Sequence, residues 1–156
     1  KGNVAWVKSV GAEGVMDYRK DEFEKVLSGY DVVLNSQDGK TLEKSLGVLQ
    51  RGGKLISISG PPDPAFAEEI KAPWFVKQVL RALSFDTRRK AKHLNVDYSF
   101  LFMKASGSQL RQITPLIESG AIRPVVDKVF PFEATNEALA YVESGRAKGK
   151  VVIKVR

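Results

Sequence analysis

The 156-residue sequence contains no cysteine, and His93 is its single histidine. Without cysteine the chain can form no disulfide and offers zinc no thiolate ligand, and one imidazole is fewer than most other zinc sites use. These absences predict that the chain holds no metal ion.

Long apolar runs are also missing. No stretch approaches the roughly 18 consecutive apolar residues that a membrane-spanning helix needs, and the first residues form no signal-peptide pattern. The sequence therefore predicts a cytoplasmic protein with no membrane partner. Because the first residue is Lys1 rather than methionine, we expect that the chain does not begin where its gene begins.

Three motifs that mark phosphate loops or catalytic serines are absent as well. The sequence has no G-x-G-x-x-G, no G-x-x-x-x-G-K-[ST] and no G-x-S-x-G. These residues therefore encode neither a phosphate-binding loop nor a nucleophile elbow.

The composition is that of an ordinary domain with a buried core, at 43% hydrophobic and 28% charged residues. Lysine and arginine total 25 against 18 aspartates and glutamates, which gives a net charge of +7. Such an excess favours anionic ligands such as phosphates. The basic residues are spread along the chain rather than set beside exposed aromatic side chains in a stripe, so we expect no nucleic-acid partner.

Helix and strand alternate through residues 1–60. The predicted elements are a helix from Val4 to Val10 capped by Asn3 and ended by Gly11, a strand over 14–17, a helix from Asp21 to Gly29 opened by an Asp21–Glu24 capping box, a strand from Tyr30 to Leu34, a helix from Thr41 to Leu49 ended by Gly52 and Gly53, and a strand from Lys54 to Ser59. This alternation predicts an α/β fold, a Rossmann-like parallel sheet with helices on both faces.

The regular alternation of helix and strand ends at the proline-rich turn from Gly60 to Pro64. Further predicted elements are helices from Ala65 to Lys71 and from Trp74 to Leu83 separated by Pro73, a strand from Tyr98 to Met103, a helix from Ser108 to Gly120 bent by Pro115, a strand from Val125 to Phe130, a helix from Asn136 to Ser144 and a strand from Lys150 to Val155. The basic segment from Arg88 to Lys92 is compatible with a membrane-surface or partner helix, and a solvated face over the core or a dimer contact is favoured.

Ligands of open parallel sheets bind beyond the carboxyl ends of the strands, so the residues that follow each strand are the candidates. Tyr18, Arg19 and Lys20 follow the first strand and suit a phosphate, or form an exposed turn. Asn35, Ser36 and Gln37 follow the second and suit ribose hydroxyls or a base edge, or are ordinary turn residues. Ser59 and Gly60 follow the third, where a glycine lets a ligand approach the backbone or starts the proline turn.

Four segments in this order carry a family resemblance: DYRKDEFEKVLSGYDVVLNSQDGKTLEKSLGVLQRGGKLISISG, YSFLFMKASG, IESGAIRPVVDKVFPF and NEALAYVESGRAKGKVVIKV. Together they resemble the C-terminal part of medium-chain dehydrogenase/reductases, and most closely the zinc-independent, NADPH-dependent quinone oxidoreductase-like group. The resemblance extends over nearly the whole chain. It implies an N-terminal catalytic domain, a first strand-helix-strand unit and a glycine-rich turn, all preceding Lys1, so that residues 1–156 are the C-terminal part of a nucleotide-binding domain.

The resemblance also implies cofactor contacts. It assigns Tyr18 and Lys150 to NADPH, with Tyr18 near the 2′-phosphate. The remaining residues that it places along the cofactor are Asn35 and Ser36 in one loop, Ile58, Ser59 and Gly60 near the nicotinamide ribose, and Phe100, Leu101 and Phe102 near the nicotinamide ring. Asn35 stands where relatives often carry aspartate, which removes a charge from that loop.

The function implied is hydride transfer from NADPH to a quinone or an α,β-unsaturated carbonyl by the intact protein, with this chain alone inactive and the protein a homo-oligomer. Tyr98 is the candidate proton donor, as the one phenol near the nicotinamide side, and a structural tyrosine is the alternative. The alternative function is a non-catalytic NADPH-binding or oligomerisation module.

Overall fold

A computed structural model describes residues 4–17 and 20–156. The chain divides into two compact units, Lys1–Lys104 and Ala105–Arg156, and each is described by itself. Asn3 and Tyr18 lie outside the described residues.

A three-stranded parallel sheet organises the first unit. Its strands are β1 (Tyr30–Asn35), β2 (Leu49–Ser57) and β3 (Asp97–Phe100), and they stand in the order β1-β2-β3. The register sets Asn35 beside Ser57 and Ser57 beside Phe100. Because the strands are parallel, their carboxyl ends lie in one row.

Six helices are described in the first unit. They are α1 (Val4–Ser9), α2 (Phe23–Val26), α3 (Gly39–Leu46), α4 (Pro64–Glu69), α5 (Trp74–Leu83) and α6 (Phe85–His93). Aspartates cap two of them: the Asp38 carboxylate accepts a hydrogen bond from the Thr41 N–H, and the Asp63 carboxylate accepts one from the Phe66 N–H, both at 2.8 Å.

The core of the first unit lies between its sheet and two of these helices. Its buried members are Leu42 and Leu46 of α3, Leu55 of β2, Ala91 of α6 and the nearby Val96, with Val33, Leu49 and Tyr98 packed against them. Val33, Leu55 and Tyr98 share one row across the strands, so this face of the sheet is the covered one. The apolar run in β1 predicts burial on both faces, yet Val32 and Leu34 are 57% and 65% exposed.

The second unit is built on a two-stranded parallel sheet. In chain order it contains α7 (Gly107–Glu118), β4 (Val126–Pro131), a turn of 3₁₀ helix (Phe132–Ala134), α8 (Thr135–Glu143) and β5 (Lys150–Lys154). The Tyr141 hydroxyl donates a hydrogen bond to the Asp127 carboxylate at 2.7 Å, which ties α8 to β4. The same carboxylate accepts the Lys148 N–H at 3.2 Å and so fixes the entry to β5.

Several predicted elements are corrected. Residues 14–17 form no strand, because the end of this segment makes local hydrogen bonds: the Asp17 carbonyl accepts the N–H groups of Lys20 and Asp21, both at 2.8 Å. The Asp21–Glu24 capping box is wrong, since α2 begins after Glu22 without a side-chain cap. The Asp21 carboxylate instead accepts a hydrogen bond from the Asp17 N–H at 2.9 Å.

The glycine pair after α3 does not end a helix but lies inside β2. Gly52 has φ of +84°, and its N–H donates to the Asn95 carbonyl at 2.7 Å. A Cβ on Gly53 would lie 2.9 Å from the Gln50 oxygen. The register of β2 against β1 shifts here, so the pair lies in an irregular stretch of a strand that begins at Leu49, earlier than predicted.

The ends of two further elements also differ from the prediction. β3 ends at Phe100, so Leu101 to Met103 continue beyond the strand. The hydroxyl of Ser106, not Ser108, caps α7 by accepting the Gln109 N–H, whereas α5 spans Trp74–Leu83 as predicted, with Pro73 as its N-cap. None of the described helices is long and apolar enough to cross a membrane.

Candidate functional site

Polar loops meet at the carboxyl edge of the first sheet. Asn35 ends β1 and Ser57 ends β2, and the Ser57 hydroxyl donates a hydrogen bond to the Asn35 side-chain oxygen at 3.1 Å. Parallel strands place their carboxyl ends together, which is why residues 22 positions apart in sequence meet here. Of the residues predicted from sequence, the structure thus brings together those that follow β1, β2 and β3.

Asn35 holds these loops together from within the protein. Its side chain is buried, and its oxygen also lies 3.2 Å from the Ser59 hydroxyl. That hydroxyl lies 2.5 Å from the Gln37 carbonyl as well, so its one proton is shared between the two acceptors. The Ile58 N–H donates to the Asn35 carbonyl at 3.0 Å. The structure therefore gives Asn35 a positioning role, and the groups left open to a ligand are the exposed Ser36, Gln37 and Ile58.

Gly60 is explained by packing. Its N–H donates to the Ser57 hydroxyl at 2.8 Å. A Cβ at this position would lie 2.5 Å from Leu42 Cδ1 and 2.8 Å from both the Ser57 Oγ and the Tyr98 hydroxyl oxygen. Glycine is thus required here because other side chains of the protein pack against its backbone. The sequence had suggested a ligand or the start of a turn as the reason.

The Tyr98 hydroxyl is engaged inside the protein. It donates a hydrogen bond to the Pro61 carbonyl at 2.7 Å. Partial burial raises the pKa of Tyr98 to about 12, the nearby Asp63 carboxylate adds to the rise, and a hydrogen bond with Ser57 opposes it. The phenol therefore stays protonated at neutral pH and fixes the turn after β2, as a structural tyrosine does.

Apolar side chains stand beside these loops. The Leu101 N–H donates to the Ser57 carbonyl at 2.8 Å, so the chain after β3 runs next to the end of β2. Ile58, Leu101 and Phe102 are 49%, 54% and 60% exposed. The sequence did not single out Phe66, whose ring lies edge-on to Phe100 at a centroid distance of 5.1 Å and 5.7 Å from Phe102. The Asp-Pro pair that opens α4 is the one sequence signal that places Phe66 in a capped first helical turn.

The resemblance also assigns Tyr18 and Lys150 to the cofactor. Tyr18 lies outside the described residues. Lys150 is the first residue of β5 in the second unit, where its N–H donates to the Val125 carbonyl at 2.7 Å and Gly149 passes close to the same carbonyl.

The residues at the carboxyl edge fit one half of a nicotinamide dinucleotide. The exposed Ser36 and Gln37 side chains offer hydroxyl and amide groups of the kind that bind ribose, and the exposed Ile58, Leu101 and Phe102 offer an apolar surface of the kind that packs against a planar ring. Among residues 4–17 and 20–156 no group of three or more histidine, aspartate or glutamate side chains is placed to hold a metal ion.

Comparison with known proteins identifies the family. The sequence pattern of the family described as zinc-binding dehydrogenase matches residues 10–153. The chain belongs to this family, within the medium-chain dehydrogenase/reductases that its motifs resemble. The fold agrees: the structure of the quinone oxidoreductase from Coxiella burnetii superposes with a TM-score of 0.75 at 21% identity, over 100% of this chain and 43% of that one. The predicted α/β, Rossmann-like class is thereby confirmed.

Curated relatives are oxidoreductases. The probable zinc-binding oxidoreductase, mitochondrial, of Arthroderma benhamiae is 33% identical over 99% of this chain and 42% of its own length. The NAD(P)H oxidoreductase RTN4IP1, mitochondrial, of Danio rerio is 30% identical over 96% and 39%. The 2-methylene-furan-3-one reductase of Solanum lycopersicum is 30% identical over 97% and 31%. The chain thus spans less than half the length of these relatives.

Proposed function

We propose that the whole protein is an oxidoreductase that transfers a hydride from a nicotinamide cofactor to a quinone or an α,β-unsaturated carbonyl. One observation carries the proposal. A chain of this family places exposed polar groups and an exposed apolar surface side by side at the carboxyl ends of three parallel strands, where open α/β sheets bind dinucleotides.

The chain's own residues would bind and orient the cofactor. Ser36 and Gln37 would hydrogen-bond ribose hydroxyls, and Ile58 and Phe102 would pack against the nicotinamide ring and exclude water from it. The buried Asn35–Ser57 hydrogen bond would keep these loops in place. When bound, the nicotinamide supplies the hydride, and the protein orients it toward the acceptor.

We propose NADPH rather than NADH as the reductant. The support is the resemblance at Tyr18 together with the net charge of +7, because the additional 2′-phosphate favours a basic protein. Titration of the complete protein with both cofactors tests this. We expect NADPH to bind at least about tenfold more tightly, a difference of ~1.4 kcal/mol, and equal affinities would contradict it.

Zinc independence is proposed as well, although the family and one of the relatives carry zinc in their names. Residues 1–156 contain no cysteine and a single histidine, and the resemblance to the zinc-independent quinone oxidoreductase-like group supports zinc independence of the whole protein. Full activity of a complete protein that contains no zinc by elemental analysis is the expected result. Activity that chelation abolishes and zinc restores would overturn this part of the proposal.

The function is tested by following the oxidation of NADPH by the complete protein with a benzoquinone and with an enone as acceptors. Two variants locate the site: Ile58→Asp places a negative charge at the carboxyl edge, and Leu94→Asp places one on an aliphatic of similar exposure, 46% against 49%, just before β3. Because the cofactor is itself anionic, Ile58→Asp should weaken its binding about tenfold or more, and Leu94→Asp should leave it unchanged.

Three outcomes bear on the proposal. Turnover of either acceptor with a defect confined to Ile58→Asp supports it. Equal effects of the two variants contradict the placement of the cofactor. Binding of NADPH without turnover of any acceptor contradicts the proposed enzymatic activity and favours the non-catalytic module. Light scattering would then measure whether the protein is an oligomer.

A further inference from the structure

Asp63 lies in the turn between β2 and α4 and uses both carboxylate oxygens. The side chain is buried, with 5% of the residue exposed. Its Oδ1 accepts the Phe66 N–H at 2.8 Å and caps α4. Its Oδ2 accepts the Phe100 N–H, the last of β3, at 3.2 Å. One side chain thus joins the start of a helix to the end of a strand 37 positions away.

The second hydrogen bond goes beyond what a helix cap requires. Serine, threonine or asparagine caps a helix with a single acceptor. Successive N–H groups of an extended chain point to opposite sides, and the Leu101 N–H points toward β2, where it meets the Ser57 carbonyl at 2.8 Å. The Phe100 N–H therefore points to the outer side of β3, an edge of the described sheet. There the Asp63 carboxylate takes the place of a neighbouring strand.

The two hydrogen bonds of Asp63 fix the position of an aromatic wall, which we define as Phe66, Phe100 and Phe102. The two backbone groups that Asp63 holds belong to Phe66 and Phe100, and these rings meet edge-on at 5.1 Å. Phe102 lies against both of them, at 5.7 and 6.4 Å. The other end of the same turn is held by the hydrogen bond from Tyr98 to Pro61. The position of the wall at the carboxyl end of β3 is thus set by Asp63.

We infer that Asp63 is a positioning residue for hydride transfer, acting through the aromatic wall on the nicotinamide ring. This inference rests on the proposed function. Asp63 touches neither cofactor nor acceptor in this account. It holds the wall against which the ring lies, and hydride transfer is sensitive to displacements of about 1 Å, which can change a rate by about a hundredfold.

Asp63→Asn in the complete protein distinguishes the hydrogen bond to the Phe66 N–H from the hydrogen bond to the Phe100 N–H, because it keeps the first and removes the second. Asparagine keeps an oxygen to cap α4, but its amide nitrogen cannot accept the Phe100 N–H. We expect hydrogen exchange at Phe100 to rise at least about tenfold while Phe66 stays protected. We also expect kcat to fall about tenfold, within the range for misplacement, with the KM for NADPH nearly unchanged.

Asp38→Asn is the matched control. Asp38 caps α3 through the Thr41 N–H at the same distance of 2.8 Å, and within the described part of the chain its carboxylate holds no strand. The control should therefore leave kcat unchanged. Asp63→Ser, which also retains a single capping acceptor, replaces Asp63→Asn if the latter does not fold, and the same changes are expected.

An isotope effect distinguishes positioning from mere loss of folded protein. With NADPH deuterated at C4, the primary effect on kcat should rise in Asp63→Asn because the hydride step becomes slower, whereas a smaller folded fraction leaves it unchanged. A faster-exchanging Phe100 amide with wild-type kcat would overturn the inference and leave the proposed function intact. If the wild-type protein oxidises no NADPH, the proposed function is contradicted instead. Hydrogen exchange at Phe100 would still test whether Asp63 holds the Phe100 N–H.

Discussion

Gly60→Ala is the substitution whose consequence the structure defines most closely. The new methyl group would stand 2.5 Å from Leu42 Cδ1 and 2.8 Å from the oxygens of Ser57 and Tyr98. Leu42 and Ser57 are 1% and 0% exposed, so neither can move aside into solvent. Overpacking of this kind costs about 1 to 3 kcal/mol. Displacing one of the two hydroxyls adds about 1 kcal/mol for its hydrogen bond. We expect a loss of about 2 to 4 kcal/mol in the stability of the first unit.

Hydrogen exchange at the Leu55 amide in β2 measures this loss, because Leu55 lies at the centre of the core and exchanges when the first unit opens. Gly39→Ala is the control. Gly39 begins α3, and a Cβ there would meet nothing within 4 Å, so stability should be unchanged or slightly higher. If Gly60→Ala proves as stable as this control, the packing explanation of Gly60 is refuted.

Three further predictions concern side chains that hold each unit together. Leu55→Ala should lower stability by about 2 to 5 kcal/mol in urea unfolding, because Leu55 is fully buried; a loss below about 1 kcal/mol would contradict the assigned core. Tyr98→Phe removes the bond to Pro61 and should cost about 1 kcal/mol at pH 7. Because the pKa of Tyr98 is raised from 10.0 to about 12, its contribution is complete below pH 10 and is lost as the pH rises toward 12, a loss absent from Tyr98→Phe.

The last of the three concerns Asp127, whose pKa is lowered by hydrogen bonds from Tyr141 and from the Lys148 N–H. Its contribution is present above the ordinary aspartate pKa of 3.8 and is lost as the pH falls through the lower value in the folded protein. Acid titration of β4 and β5 by NMR should show this loss in the wild type and not in Asp127→Asn.

The fold was largely predictable because most helices and strands are identified by residues within their own segment of the sequence. The Val-Val-Leu run of β1, the leucine stripe of α3 and the proline that separates α4 from α5 each identify an element without its neighbours. The errors have a common cause. A Gly-Gly pair ends a helix or lies within a strand according to which strand lies beside it, and the segment over 14–17 ends in local hydrogen bonds of Asp17.

The location of the candidate site was predictable from the sequence, whereas the roles of its individual residues were less so. The sequence placed Asn35, Ser59 and Gly60 together, since parallel strands end at one edge. It could not show that Asn35 is buried, that Gly60 packs against Leu42, or that Tyr98 is engaged by Pro61. Those roles depend on contacts between residues far apart in sequence. The cytoplasmic location and the homo-oligomer stay predictions.

We propose that a nicotinamide dinucleotide binds at the carboxyl edge of the first sheet. Residue-resolved hydrogen exchange of the complete protein, with and without saturating NADPH, tests it most directly. We expect slower exchange at Ser36, Gln37, Ile58 and Leu101, with no change at Gly52 and Asn95, which meet at the opposite end of β2 and β3. Protection confined to Gly52 and Asn95, or no protection at saturation, would contradict it.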